Sequence, residues 1–219
     1  MKKIIILGTG GNSVDILDTL NDLNVHHQSL RYQCLGFLDD DAQRWDSPFH
    51  GTKILGPLKS ANQYPDCYFV NGIGSPNNFW KKREIIAQTG MPDERFETII
   101  HPTASVSAMA TLGLGTVVFQ NAVITSNSKI GNHVVILPNT IVSHDDIVGD
   151  YTCVAGGVCI SGRVNIGHSC YLGTNCSIIG DAVIGNNCLI GMASVVLGNV
   201  PENTVVVGAP ARFLRKTIT

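Results

Sequence analysis

The sequence predicts two domains of different class: an α/β domain over residues 1–98, followed by an all-β parallel β-helix over residues 99–219. Three observations lead to this division. Strand and helix patterns alternate through the first part of the chain. The helical pattern then disappears near residue 100. From there, an aliphatic residue recurs at every sixth position.

The first domain begins with a strand over residues 2–8 that ends at a glycine. Apolar residues at helical spacing follow over 12–24, and a second strand over 32–41 ends in acidic residues. A third strand over 67–75 and a helix over 78–90 complete the pattern. This alternation predicts a small Rossmann-like domain with a parallel sheet.

The second domain follows a strict six-residue repeat. Sixteen positions spaced by six, from Val106 to Val196, are all Ile, Leu or Val. The position two residues before each aliphatic is nearly as strict, and only Asp146 breaks the series of small residues and valines. Three hexapeptides would make one triangular coil of eighteen residues, with the aliphatic side chains inside. Glycines recur with this longer period, at Gly113, Gly131, Gly149, Gly167 and Gly185.

The composition limits the class of protein. Of the 219 residues, 44% are hydrophobic and 6% aromatic, so the core is expected to be aliphatic. A formal net charge of −2 argues against a nucleic-acid partner. The first apolar run is too short for a signal peptide, and none approaches the ~18 residues of a membrane span. The seven cysteines have no zinc-site spacing, which indicates free thiols in a reducing compartment. We therefore expect a cytoplasmic protein.

Residues eighteen apart become vertical neighbours in such a coil. The column through His144 continues with Gly162, Gly180 and Gly198, so no side chain stands above the imidazole. Glycine within strands often marks the close approach of a ligand or of another backbone. The column therefore predicts a reactive histidine beside a groove for an extended ligand.

His144 has the neighbours that a general base needs. Asp145 can hydrogen-bond one imidazole nitrogen or raise the basicity of the ring, which leaves the other nitrogen free to accept a proton. The amide of Gly162, one coil away, could donate to a developing oxyanion. The alternative is a turn histidine at a solvated corner, but the adjacent acid and the glycine column favour catalysis. No metal is expected, since no second histidine shares this corner.

The loop GTGGNS at residues 8–13 precedes the first predicted helix. It lacks the third glycine of the dinucleotide fingerprint, and Asp39 lies beyond the ~20-residue spacing expected for the ribose-binding acid. Glycine amides at a helix N-terminus still favour anions of any kind. The loop therefore predicts phosphate binding, and NAD is not the expected ligand.

Taken together, these motifs resemble those of the hexapeptide-repeat acyltransferases, in particular the nucleotide-linked aminosugar N-acetyltransferases of bacterial glycan biosynthesis. The sialic acid O-acetyltransferases are close to this subgroup. The resemblance covers essentially the whole chain and implies a left-handed β-helix, a homotrimer and acetyl-CoA as acetyl donor. The segments that carry it are ILGTGG at the start, GFLDD at 36–40, NGIGS at 71–75, IHPTASVS at 100–107, SHDD around His144, and VVVGAPARFLR at 205–215.

The resemblance also implies roles for individual residues. His144 would remove the proton as the sugar amine attacks acetyl-CoA, with Asp145 tuning it and Gly162 facing the thioester oxygen. The N-terminal domain would bind the nucleotide sugar through Gly10, Gly11, Asn12, Asp39, Asp40 and Gly74. Acetyl-CoA would lie along the prism between two subunits, near Gly162, Thr174, Gly180 and Met192.

Two positions depart from the family pattern. The family's glycine loop usually continues with a histidine, whereas this chain has Asn12. Many members also carry a second histidine nine residues after the catalytic one, near the acetyl donor, whereas this chain has Cys153. Cys153 lies outside the small-residue series, so the spacing leaves open a reactive thiol.

The leading hypothesis is an acetyl-CoA-dependent N-acetyltransferase that acts on the 4-amino group of a nucleotide-diphosphate-linked amino-deoxysugar. This reaction needs proximity, a base and an oxyanion donor, but no metal. O-acetylation of a sugar hydroxyl, such as that of a sialic acid, would use the same groups. A non-catalytic nucleotide-sugar-binding scaffold would fill the column above His144 with side chains, where the sequence has glycine.

Overall fold

The computed structural model describes residues 1–217. The N-terminal domain is a five-stranded sheet in the order β3-β4-β2-β1-β5, parallel except for the pairing of β3 with β4. Two α-helices and four short 3-10 helices connect these strands to one another and to the second domain. The elements are β1 (Lys2–Leu7), α1 (Gly11–His26), β2 (Tyr32–Leu38), β3 (Pro48–Phe49), β4 (Thr52–Gly56), β5 (Cys67–Asn71) and α2 (Lys82–Ala87), with 3-10 helices at Ala42–Arg44, Leu58–Gln63, Phe79–Lys81 and Asp93–Arg95.

The α/β class predicted for this part is confirmed, with shorter elements than the sequence pattern indicates. β2 ends at Leu38 and β5 at Asn71, because the chain leaves the sheet there to form loops. The helix predicted over 78–90 is a 3-10 turn followed by the six residues of α2. The hairpin of β3 and β4 was not predicted, since β3 has only two residues.

From Ile99 the chain winds as a left-handed parallel β-helix with three faces, as predicted for the fold class. One face, which we call the docked face, packs against the N-terminal domain. It consists of β6 (Ile99–Ile100), β9 (Val117–Val118), β12 (Val135–Ile136), β15 (Cys153–Val154), β18 (Tyr171–Leu172), β21 (Leu189–Ile190), β23 (Thr204–Val207) and the antiparallel β24 (Arg212–Lys216).

The other two faces carry no further domain. The second face consists of β7 (Ser105–Val106), β10 (Val123–Ile124), β13 (Ile141–Val142), β16 (Cys159–Ile160), β19 (Ser177–Ile178) and β22 (Val195–Val196). The third face consists of β8 (Thr111–Leu112), β11 (Lys129–Ile130), β14 (Ile147–Val148), β17 (Asn165–Ile166) and β20 (Val183–Ile184).

The strand register follows the predicted period of eighteen. Ile141 pairs with Val123 below and with Cys159 above, and the same spacing holds on every face. From β7 to β22 the second residue of each strand points inward, so the predicted aliphatic series forms one continuous core. Three cysteines of the small-residue series, Cys170, Cys176 and Cys188, are buried in that core, as the packing interpretation predicted.

The two domains share a second hydrophobic core. Ile4 and Ile16 of the N-terminal domain pack in one cluster with Val117, Phe119 and Val135 of the docked face. Polar contacts cross the same boundary: the Nε2 atom of His101 lies 3.0 Å from Asp22 Oδ2, and that of His133 lies 3.2 Å from Asp93 Oδ1. The N-terminal domain is therefore fixed against one face of the prism, while the other two faces are uncovered in the single chain.

Candidate active site

His144 lies in the turn between β13 and β14, at the corner where the second and third faces meet. Its Nδ1 atom lies 2.7 Å from Asp145 Oδ2, and the imidazole side chain is 51% exposed. Asp145 has a left-handed backbone (φ 61°) and accepts a further hydrogen bond from Asn127 Nδ2 at 3.0 Å. The hydrogen bonds from His144 and Asn127 hold the pKa of Asp145 below its usual value. The carboxylate therefore orients the ring and leaves Nε2 available.

Gly162 supplies the surface against which the imidazole rests. A Cβ atom on Gly162 would lie only 2.6 Å from His144 Nε2, so no other residue fits without displacing the ring. Its amide donates no hydrogen bond to any of residues 1–217. Above it, Gly180 is close-packed on the Gly162 carbonyl, and Gly198 faces open space. The corner thus combines a proton acceptor with a free N–H donor beside an unfilled track.

Asp146 is the third acid-base group at this corner, and it points inward. Its side chain is fully buried, and its Oδ1 accepts the amide of Val164 at 2.8 Å. Burial raises the pKa of Asp146 to about 7, against the opposing effect of backbone amides. Asp146, which stands where the repeat otherwise has a small residue or valine, therefore places a titratable group in the same turn as His144 but on the inner side of the prism.

A cavity of about 530 Å³ lies between the N-terminal domain and the docked face. Its polar rim comes from the loops after β1, β2 and β5, and its floor includes Val135, Leu137, Ala155 and Tyr171. All six residues that the sequence predicts for substrate binding line this one cavity: Gly10, Gly11, Asn12, Asp39, Asp40 and Gly74. We refer to it as the glycine-loop pocket.

The glycine loop meets the pocket at the N-terminus of α1. Gly10 is the N-cap residue, without a side-chain cap, and the first turn carries no acid. The first amides of a helix have no intrahelical acceptor, so those of Gly11 and Asn12 remain available to a ligand. Free amides and the positive end of the helix dipole favour a phosphate group here.

The two acids at the end of β2 are held by hydrogen bonds within the loop region. Asp39 accepts the hydroxyl of Thr9 at 2.6 Å, and Arg44 donates to that same hydroxyl. Asp40 accepts the amide of Leu58 at 2.9 Å. The other oxygen of Asp39 accepts the amide of Asp41 at 3.0 Å, so Asp39 is held directly beside the glycine loop through Thr9.

The two positions that depart from the family pattern lie close together in the pocket. Asn12 Nδ2 is 3.5 Å from the carbonyl oxygen of Gly74, and a Cβ on Gly74 would lie 2.5 Å from Cys153 Sγ. The spacing had placed Cys153 outside the buried series, which is wrong because the N-terminal domain covers the docked face and leaves the residue only 5% exposed.

Sequence reasoning missed the buried lysine beneath this pocket. Lys82 of α2 is fully buried, with its Nζ atom 2.6 Å from the carbonyl oxygen of His133 and 3.6 Å from Cys153 Sγ. Burial lowers its pKa, which the neighbouring thiol partly opposes. His133 is likewise buried, beside Asp93. Only the packing of the N-terminal domain on the β-helix creates these environments.

The corner and the pocket are separate in one chain. His144 stands at the corner opposite the docked face, and none of His144, Asp145 and Gly162 lines the pocket. The predicted donor-binding residues are also divided, since Gly162 and Gly180 lie at the His144 corner. Thr174 and Met192 lie in turns between the docked and second faces, where both are exposed.

Three further properties hold for the part of the chain that the structure describes. No three His, Cys, Asp or Glu side chains in residues 1–217 are grouped so that they could hold a metal ion. Within the same range, every helix is too short or too polar to span a membrane. All seven cysteines are free.

Comparison with known proteins gives matches over both domains. Residues 3–88 match the PglD N-terminal domain family. A curated relative, the UDP-N-acetylbacillosamine N-acetyltransferase of Bacillus subtilis (strain 168), is 32% identical over 124 residues, which are 54% of this chain and 51% of the relative. The alignment thus spans about half the length of that protein.

Solved structures match nearly the whole chain. The acetyltransferase domain of PglB from Neisseria gonorrhoeae FA1090 superposes with a TM-score of 0.80 at 22% identity, covering 98% of this chain and 100% of that one. PerB from Caulobacter crescentus, solved in complex with CoA and GDP-perosamine, superposes with a TM-score of 0.83 at 21% identity, covering 98% of both chains. The two-domain fold is therefore shared over its full length.

Proposed function

We propose that this protein is a hexapeptide-repeat acyltransferase and, more specifically, an acetyl-CoA-dependent N-acetyltransferase. Its residues 3–88 match the PglD N-terminal domain family. Its acceptor is the 4-amino group of a nucleotide-diphosphate-linked amino-deoxysugar. The observation that carries the proposal is the contact between His144 and Gly162. It places an oriented base beside a free amide on a track without side chains.

The glycine-loop pocket binds the nucleotide sugar. The amides of Gly11 and Asn12 receive the diphosphate, and Asp39 and Asp40 face the base or ribose. The apolar floor suits a deoxysugar, because a methyl group stands in place of a hydroxymethyl group whose hydroxyl would need a hydrogen-bond partner there. PerB, which has the same fold, was solved with GDP-perosamine and CoA.

The chemistry takes place at His144. The sugar nitrogen attacks the thioester carbonyl carbon, and Nε2 of His144 takes the proton that the nitrogen loses. Asp145, hydrogen-bonded to Nδ1, stabilises the imidazolium that forms. The amide of Gly162 stabilises the oxyanion until the carbon–sulfur bond breaks and CoA leaves as the thiol with that proton. The track over Gly162 and Gly180 holds the pantetheine arm.

A homotrimer joins the two halves of the site. The corner of one subunit must face the pocket of the next, because the two lie on opposite sides of one chain. Ile141, Ile147 and Val183 on the second and third faces are 42–47% exposed, which suits an interface between subunits. The exposed Thr174 and Met192 of the neighbour then approach the acetyl-CoA groove. We place the enzyme in the cytoplasm, where seven free thiols are stable.

The experiment is a CoA-thiol release assay with acetyl-CoA, a panel of UDP-, GDP- and dTDP-linked 4-amino sugars, and a sialic acid as the alternative acceptor. Transfer to one of them is expected, and replacing His144 by Ala should reduce kcat by about 10²–10⁴-fold. The matched control is His168→Gln, a corner histidine that is exposed but has no acid neighbour in the turn. Transfer only to a sialic acid hydroxyl would establish the O-acetyltransferase instead. Absence of transfer to every acceptor would leave a binding scaffold.

A further inference from the structure

The His144 corner contains one buried oxygen atom without a partner. Asp146 is fully buried, and its Oδ1 accepts the amide of Val164 at 2.8 Å. Its Oδ2 is equally inaccessible, yet no donor or acceptor in residues 1–217 pairs with it. Leaving a buried carboxylate oxygen without a hydrogen bond is costly, so its surroundings require an explanation.

Hydroxyl residues at equivalent positions of other coils show what this site provides. Thr116 and Thr152 each accept an amide eighteen residues on, at 3.1 Å, and donate to a carbonyl fifteen residues on, at 2.8 and 3.1 Å. Ser128 and Thr140 also donate to the carbonyl fifteen residues on. Thr116 and Thr152 thus use both an N–H donor and a carbonyl acceptor, at the corner between the third and docked faces. Ser128, at the same corner as Asp146, uses the carbonyl acceptor.

Asp146 makes the first of these hydrogen bonds, since it accepts the amide of Val164, eighteen residues on. The acceptor for the second hydrogen bond would be the carbonyl of Ser161, fifteen residues on. The Ser161 carbonyl oxygen receives no hydrogen bond from the described residues, and a carboxylate cannot donate one. We propose that Asp146 is held as a neutral carboxylic acid whose hydroxyl donates to the Ser161 carbonyl, and that it thereby positions the Gly162 amide for catalysis.

The link to catalysis is covalent geometry. The carbonyl of Ser161 and the N–H of Gly162 belong to one planar peptide group, so fixing the oxygen inside the prism fixes the N–H outward. A hydrogen bond to the oxygen also polarises the peptide and makes its N–H a stronger donor. Asp146 is therefore a positioning residue for the oxyanion donor, and this role rests on the function proposed above.

The groups around Asp146 are consistent with a neutral acid. His144 and Asp145 share its turn, and the Arg163–Asp181 ion pair lies on the turns above; none of these donates to Oδ2. The amide of Ser143 donates to the Ile160 carbonyl at 3.2 Å, and it lies near enough to Asp146 to oppose part of the rise in its pKa. Burial, the largest effect, raises the pKa of Asp146 to about 7. If Asp146 ionised, its carboxylate and the Ser161 carbonyl oxygen would face each other as two hydrogen-bond acceptors without a donor in a buried site.

The stability consequence has a definite sign. Because the folded-state pKa of Asp146 lies above its ordinary value of 3.8, the native state holds a proton that the unfolded state has lost. The contribution of this residue therefore weakens as pH rises from about 4 to about 7. Asp146→Asn keeps both hydrogen bonds, through its carbonyl and its NH₂ group, and cannot ionise. Its stability should rise relative to wild type across that window.

A substrate-free NMR measurement tests the coupling. The Gly162 amide resonance would be followed from about pH 5 to about pH 9 in a His144→Gln background, which removes the titration of the adjacent imidazole. We expect a titration with a midpoint of about 7 and its loss when Asp146→Asn is added. The same titration in both proteins, or none in either, would overturn the assignment.

The kinetic test uses pH profiles. Wild-type kcat should fall above pH 7 as Asp146 ionises, and Asp146→Asn should retain full kcat without that fall. Asp146→Ala, which leaves the Ser161 carbonyl without a donor, should lose about tenfold in kcat with KM for the nucleotide sugar unchanged. Full kcat in the alanine variant, or an unchanged alkaline fall in the asparagine variant, contradicts the proposal. If wild type acetylates no acceptor, the proposed function fails, while the NMR titration still decides the state of Asp146.

Discussion

The glycine-loop pocket and the His144 corner are built in opposite ways. The pocket is enclosed between two domains, and its walls come from loops and strands far apart in sequence. The corner comes from one turn and from glycines eighteen residues apart, and its imidazole is half-exposed. The pocket has an enclosure but no histidine in its lining, whereas the corner has His144 but no enclosure. Under the function proposed above, the complete site requires both surfaces to meet.

Complementation between two inactive variants tests this division most directly. His144→Ala removes the base but leaves the pocket intact, and Gly11→Asp places a carboxylate at the phosphate-binding end of α1 where the added Cβ meets open space. Each variant alone should be inactive. If equal amounts assemble at random into trimers, each mixed trimer should have one site that combines an intact pocket with an intact corner from the neighbouring subunit, which is about a quarter of all sites. Acetyl transfer by the co-expressed proteins measures this.

The control for complementation is the double variant, in which both substitutions share one chain. When co-expressed with either single variant it can form no site with two intact halves, so it should not recover activity beyond the single variants. A mixture of single variants as inactive as its components would contradict a site shared between subunits.

The close contact at Gly162 predicts the next effect in size. Gly162→Ala would place a methyl group 2.6 Å from His144 Nε2, displacing the ring and costing about 10²-fold in kcat. Gly198→Ala is the matched control, because the same column leaves open space there. KM for the nucleotide sugar should not change in either variant, since the pocket is elsewhere. Equal kcat values for the two variants would show that the imidazole does not depend on this contact.

The corner could be predicted from the sequence because it depends on local repetition. The six-residue series fixes the coil, and the coil fixes which residues stack: His144, Gly162 and Gly180 follow from counting by eighteen. The departure at Asp146 was visible for the same reason. The catalytic roles of these residues remain predictions, but their proximity follows from the register alone.

The pocket could be predicted only in part. Its rim lies at strand ends, where parallel sheets bind ligands. The glycine loop at Gly10 could be predicted from its residues, whereas the positions of Asp39 and Gly74 came from the family resemblance. Its floor could not be predicted. Cys153 and Lys82 are 71 residues apart and meet only because the docked face lies under α2. No periodicity encodes how two domains pack, and for that reason a buried lysine and a covered cysteine were missed.

The smallest predicted effect is on the pH dependence of stability, and it comes from Lys82 at the boundary between the two domains. Burial lowers the pKa of Lys82 in the folded state. Above that lowered pKa, the unfolded chain binds a proton at this lysine that the folded protein does not bind. The contribution of Lys82 to stability therefore increases as pH rises toward its ordinary pKa of 10.5. Lys82→Met removes this dependence. The melting temperature of wild type relative to the variant should therefore rise with pH, on the order of 2–4 °C.

Comparison with the variant is needed because the buried cysteines titrate in the opposite sense. Burial raises the pKa of the Cys170 thiol to about 12, which lowers stability at alkaline pH in both proteins alike. Lys81→Met is the matched control, since Lys81 is exposed one residue earlier and should follow wild type at every pH. A pH-independent difference between wild type and Lys82→Met would mean that the ammonium is charged and fully compensated by the His133 carbonyl. The buried boundary beneath the pocket would then carry a charged side chain, as the exposed corner does with Asp145.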